Sequence, residues 1–144
     1  MNAIQRFLRY VTYDTQSDDR SAAVPSTEKQ RVLGQALAEE LGQLGLSNAH
    51  LDGSGYVYAW LPATPGCEGI PCVGLIAHMD TSPDAPGADV RPRIVRYEGG
   101  DIVLNEEKGI VMRAAEFESL SRYVGRELIV TDGTTLLGAD DKAG

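Results

Sequence analysis

The chain has 144 residues, 42% of them apolar and 24% charged, and its 21 acidic against 13 basic side chains give a formal charge of −8. That composition is globular rather than disordered and suffices for one core, while the acidic balance without any lysine or arginine cluster argues against nucleic acid as a partner. No apolar run approaches the ~20 residues of a membrane span, and MNAIQRFLRYVT is too polar for a signal-peptide core, so the sequence reads as cytoplasmic with no membrane partner.

Ile4, Phe7, Leu8 and Val11 fall on one face of a short amphipathic helix. After the polar stretch 13–26, Thr27 and Gln30 make a capping-box pattern, and Leu33, Leu37, Leu41 and Leu44 recur at helical spacing until Gly45. This predicts a second helix of roughly one and a half dozen residues, with Glu39 and Glu40 on its solvated face. From Ala49 the period changes to alternation: a strand near 48–51, an Asp52-Gly53 turn, and YVYAWL with Tyr56, Tyr58 and Trp60 on one face, together a hairpin. These aromatics sit at strand period and read as sheet packing, and His50 reads as an exposed histidine.

Cys67 and Cys72 have no histidine nearby and no second cysteine pair, so they read as reduced thiols, with a small disulfide loop as the alternative. The unbroken apolar run CVGLIA, 72–77, is expected to be a strand buried on both faces at the centre of the sheet. A Pro/Gly/Asp-rich loop follows, then VRPRIVRY as an outer strand ended by Gly99-Gly100. Within 105–125 only a helical turn in AAEFESLSRYVG is suggested. ELIVTDGTTLLG reads as two short strands around Asp132-Gly133. GADDKAG has the look of a helix entrance, so the sequence is expected to be a piece of a longer protein. Helices followed by strands, without repeats, indicate an α/β layer.

Two acidic motifs carry the chemistry. In a strand His78 and Asp80 point to one side while Met79 points away, and the carboxyl end of a central strand is where open α/β sheets place their sites. An imidazole that ligates metal through one nitrogen usually donates its other N–H to a carboxylate, and His-x-Asp supplies both parts. A surface or core histidine beside a neighbouring acid is the plainer alternative. Asp140 and Asp141 stand side by side in LLGADDKAG; their repulsion, on the order of a kcal/mol, is removed by a divalent cation. An N-cap pair is the alternative there. VTDGTT lacks the second aspartate of a phosphatase loop, and DGTTLLGADDK lacks the alternating oxygens of an EF-hand.

Taken together, AHMDTSPDAPG at 77–87 and VTDGTTLLGADDKAG at 130–144 closely resemble the peptidase T branch of the co-catalytic dizinc peptidase superfamily, and the likeness extends through the amino-terminal helices and YVYAWLP. The resemblance implies a phosphorylase/hydrolase-like α/β catalytic domain, a central mixed sheet flanked by helices, of which residues 1–144 are the amino-terminal part. It implies a zinc aminopeptidase that removes the first residue of tripeptides, with two Zn2+ ions per complete site and small peptides as partners. His78 would ligate one zinc, Asp140 would bridge both, and Asp80, counted as catalytic, would orient His78. The bond between Asp140 and Asp141 would be cis, a costly state for a non-proline residue.

The family's remaining ligands, its general base and a lid domain that supports dimerisation would all lie beyond Gly144. A homodimer of the complete protein is thus left open, and no substrate-binding residue can be named. The chain by itself is then expected to bind zinc weakly and not to turn over peptides. A related dizinc amidohydrolase, whether dipeptidase, carboxypeptidase or deacetylase, shares these motifs and is the near alternative. A non-catalytic α/β binding module is the alternative from another class.

Overall fold

Asn2 starts the first helix, α1 (Ala3–Tyr10), by accepting from the Gln5 N–H while the Gln5 side chain accepts from its own, a reciprocal cap that satisfies two otherwise orphaned donors. The computed structural model describes residues 1–144 as a mixed α/β arrangement. After α1 come α2 (Gln30–Gln43), β1 (Ser47–Leu51), β2 (Val57–Trp60), β3 (Arg93–Tyr97), β4 (Ile102–Asn105), β5 (Ile110–Met112), a 3-10 turn (Glu118–Tyr123), β6 (Arg126–Val130) and α3 (Ala139–Ala143).

Helix α2 is shorter than its leucine spacing predicts and has no side-chain cap. The Thr27 hydroxyl donates instead to the Gln16 carbonyl, and the Gln30 amide donates to Ser26 and Thr27, so the pattern ties a loop rather than capping a helix. The expected solvated face is also corrected at Glu40, which is only 7% exposed. Arg6, Arg9 and Tyr10 of α1 all donate to its carboxylate, and this buried charge joins the two helices. Burial and the bond to Glu40 push the Tyr10 phenol up to about 12.

Strands β1 and β2 pair antiparallel as the alternation predicts. Asp52 closes their turn by accepting from the Ser54 and Tyr56 N–H groups, each at 2.8 Å. Val57 and Leu51 face Gly34 of α2, whereas Tyr56, Tyr58 and Trp60 are exposed and Tyr58 stacks on an exposed His50. Strand β3 pairs with β6, and β4 with β5, a hairpin that the sequence reading left undrawn. Tyr97, Ile102 and Leu120 form the buried cluster between them, the 3-10 turn supplying Leu120.

The expected central mixed sheet does not form: the strands make three separate two-stranded antiparallel ladders. Nor is 72–77 a buried strand, since Val73, Leu75 and Ile76 are 80%, 95% and 99% exposed. A central strand needs hydrogen-bonding neighbours on both edges, and residues 72–80 make no backbone-to-backbone hydrogen bond. The second strand expected after Asp132-Gly133 is likewise missing. Asp132 captures the N–H and hydroxyl of Thr134, and Leu136 donates to the Pro86 carbonyl, which turns the chain away from β6.

Candidate metal centre

Two anchors hold the His-x-Asp segment. Met79 reaches α2, where its Cε lies 3.3 Å from the position of a Cβ built on Gly34. Thr81, 2% exposed, makes a parallel bridge to Gln16: its N–H donates to the Thr15 carbonyl at 3.0 Å and its carbonyl accepts from the Ser17 N–H at 2.9 Å. With Met79 turned into α2, His78 and Asp80 share the opposite side, so the alternation read from the sequence holds although no strand forms.

The acidic pair arrives from the other end of the chain. Gly138 precedes α3 with φ 66° and ψ 35°, a left-handed conformation that favours glycine. A Cβ there would stand 3.3 Å from the Thr81 methyl, so the same position also needs close approach. The short helix then carries Asp140 and Asp141 next to His78. Successive helical residues diverge by about 100°, so the two carboxylates meet the imidazole from different angles.

The resulting geometry divides the imidazole between two duties. Nδ1 of His78 lies 3.2 Å from Asp80 Oδ1, while Nε2 lies 3.5 Å from Asp141 Oδ1 and 3.9 Å from Asp140 Oδ2. In the tautomer protonated on Nδ1, His78 donates to Asp80 and turns the lone pair of Nε2 towards the two aspartates. The hydrogen bond to Asp80, with the charges of Asp141 and Asp80 behind it, raises the His78 pKa above its ordinary value against a smaller effect of burial. One ligand atom from each of His78, Asp140 and Asp141 lies within 4.8 Å of the others.

Asp141 was not foreseen as a donor; it is the more buried of the pair, with side-chain exposure of 13% against 100% for Asp140. Its adjacency to Asp140 was the available signal. The expected cis bond between the two is corrected: Val24–Pro25 is the cis peptide, and Asp140–Asp141 is an ordinary trans bond inside helix α3. Helical hydrogen bonding requires trans units, and a non-proline cis bond costs about 2.5–4 kcal/mol.

An imidazole nitrogen with two carboxylate oxygens is a donor set that suits zinc and other borderline divalent ions. The other candidates stay outside this cluster. Cys67 and Cys72 are free thiols, His50 contacts the Asn48 carbonyl at 2.7 Å, and Asp132 is held below its ordinary pKa by Thr134 within its own turn.

No protein-family model matches the chain. Among curated proteins it is 56% identical over 142 residues to the peptidase T of Caldanaerobacter subterraneus, 54% over 142 to that of Clostridium acetobutylicum, and 52% over 144 to that of Parabacteroides distasonis. These alignments take in 98–100% of this chain but only 34–35% of each relative, so the chain spans about a third of the length of the curated relatives it matches. At that identity over nearly its whole length, the chain is similar in sequence to about a third of a peptidase T, consistent with a fragment of such a protein.

Proposed function

We propose that this chain is the metal-site portion of a zinc-dependent aminopeptidase that releases the amino-terminal residue of tripeptides, acting in the cytoplasm. The observation that carries the proposal is the two-sided His78, with Nδ1 on Asp80 and Nε2 facing Asp140 and Asp141. A histidine poised for a metal has this arrangement, and a merely salt-bridged surface histidine has no need of a second and third carboxylate oxygen. The relatives carry the name peptidase T, which supports a peptide as substrate.

In this reading His78, Asp140 and Asp141 hold the metal. Their two negative charges offset those of a dication and lose their mutual repulsion to it. Asp80 keeps the imidazole in one tautomer and orientation, which raises its basicity as a ligand. When bound, zinc supplies Lewis acidity to the scissile carbonyl and to the attacking water. The surrounding domain is proposed to be the phosphorylase/hydrolase-like α/β fold, residues 1–144 being its amino-terminal part, with the lid domain and the rest of the catalytic domain supplied by the longer protein. A homodimer of that protein is part of the same reading.

A protein of the relatives' full length, offered free tripeptides, dipeptides and N-acyl amino acids, is expected to cleave tripeptides in preference to the others and to lose that activity on chelation. Preference for N-acyl amino acids or dipeptides would move the assignment to another dizinc amidohydrolase. Activity indifferent to chelation would end the metallopeptidase reading. The 144-residue chain alone is expected to take up zinc weakly and to leave tripeptides intact, and hydrolysis by the purified chain would contradict this.

A further inference from the structure

Lys142 follows the candidate ligands directly in the chain, and its side chain is buried in the protein. It is 8% exposed, which is rare for a lysine without strong partners. Its ammonium donates to the Tyr13 carbonyl at 3.2 Å, across 129 residues of sequence. The charges of Asp141 and Asp14 attract the same group. Asp14 is itself fixed by Lys29 at 2.9 Å and accepts from the Gln16 N–H at 3.1 Å.

The segment Tyr13–Ser17 therefore touches both halves of the site. Through Thr15 and Ser17 it holds Thr81, the residue after Asp80, and through the Tyr13 carbonyl it holds Lys142, the residue after Asp141. Helix α3 has five residues, too short to hold its own conformation in water, so its placement depends on tertiary anchors. Gly138 supplies one by packing on Thr81. Lys142 supplies the hydrogen-bonded one.

We propose that Lys142 is a positioning residue: by clamping α3 to the Tyr13 carbonyl, it sets the distance between the Asp140–Asp141 pair and His78 and so tunes the affinity of the centre for a divalent metal. This rests on the metal-centre reading above. It assigns Lys142 no contact with metal or substrate.

The test is a Co2+ titration of the 144-residue chain, followed by visible absorption, for the wild type, His78→Ala, Lys142→Met and Lys142→Arg, with thermal unfolding of each metal-free protein measured in parallel. Methionine keeps most of the length and removes the donor and the charge, whereas arginine keeps both. At a temperature where all are folded, Lys142→Met is expected to bind Co2+ roughly 10–100-fold more weakly, and Lys142→Arg to recover most of that loss. A purely structural lysine would lower the unfolding temperature and leave the affinity of the folded protein unchanged. If Lys142→Met does not fold, Lys142→Gln, which keeps a donor without the charge, takes its place with the same expected direction.

Wild-type affinity in the folded variant overturns the role of Lys142 and leaves the metal centre standing. A wild type that takes up no more Co2+ than His78→Ala overturns both.

Discussion

Glu40 shows how much a single side chain can organise. Its carboxylate accepts from the Arg6 guanidinium, the Tyr10 hydroxyl and Arg9. The hydrogen bond from Arg6, then that from Tyr10 and the nearby positive charges, hold its pKa below the ordinary carboxylate value despite burial. Replacement by glutamine leaves Arg6 and Arg9 facing a neutral amide. Both arginines retain some access to water, with side-chain exposures of 29% and 39%, so the loss should fall short of a fully buried pair, at roughly 1–3 kcal/mol. Urea unfolding at pH 7 measures it. The sign with pH follows from the depressed native value: the stabilisation is complete above the unfolded-state pKa of about 4.5 and is lost as pH falls through the native one. Wild type should therefore lose its advantage over Glu40→Gln on acidification below that range, and a constant difference from pH 7 to pH 3 would show that the carboxylate charge contributes nothing.

At the same scale, His78 and Asp80 are expected to separate by experiment in the full-length protein. His78→Ala should reduce metal occupancy, read by atomic absorption after dialysis. Asp80→Ala should mainly reduce the rate, with a loss of metal affinity in the 10–100-fold range. Equal occupancy in His78→Ala and wild type would remove His78 from the ligand set. This pair was legible in the sequence because alternation alone places both side chains on one side. Glu40 was not, because its partners Arg6 and Arg9 lie 34 and 31 positions away and only the packing of α1 on α2 brings them together.

Among the elements, legibility followed how local the determining interactions are. The β1–β2 hairpin was readable because Asp52 closes its own turn with groups two and four residues on. The capping pattern at Thr27 misled, since a hydroxyl that could cap its own helix found the Gln16 carbonyl instead, whereas the Asn2–Gln5 pair did form a box. The β4–β5 hairpin escaped because strands of four and three residues carry too little alternation to stand out. The turn after β6 tests how closely these elements fit. Gly133 has φ 73°, and a Cβ on it would stand 2.6 Å from Ile110 Cγ2 and 3.3 Å from Leu104 Cδ1. Gly109 has a similar φ of 63° with nothing within 4 Å. Gly109→Ala should therefore cost only the left-handed backbone penalty, about 1–2 kcal/mol, and Gly133→Ala should cost that plus the displacement of β5 and β4 side chains, roughly 1–3 kcal/mol more. Equal shifts of the unfolding midpoint would mean that the 131–138 loop is free to move away from the hairpin.

For the molecule as a whole, the decisive quantity is surface. A compact protein of 15.5 kDa exposes about 7,200 Å², whereas this chain exposes 9736 Å². Much of the excess follows from the absence of a shared sheet: three two-stranded ladders each leave both outer edges open, and residues 75–77 of the apolar run line a groove of about 1180 Å³ between the helices, the first hairpin and α3. The run 72–77 is apolar as its sequence reads, but it forms no strand. Burial could not be read from it, because burial belongs to whatever lies alongside, and no strand of this chain does. An exposed, unpaired apolar segment is a predicted site of association. The 144-residue chain should bind a hydrophobic dye and self-associate with rising concentration, as read by light scattering, and its amides over 72–80 should exchange quickly. Leu75→Lys with Ile76→Lys should suppress the dye binding and the association while moving the unfolding free energy by no more than about 0.5 kcal/mol, since these side chains are 95% and 99% exposed. If the same pair of lysines instead unfolded the chain, 72–77 would have to be buried in the isolated molecule, and the open arrangement of three ladders would be wrong.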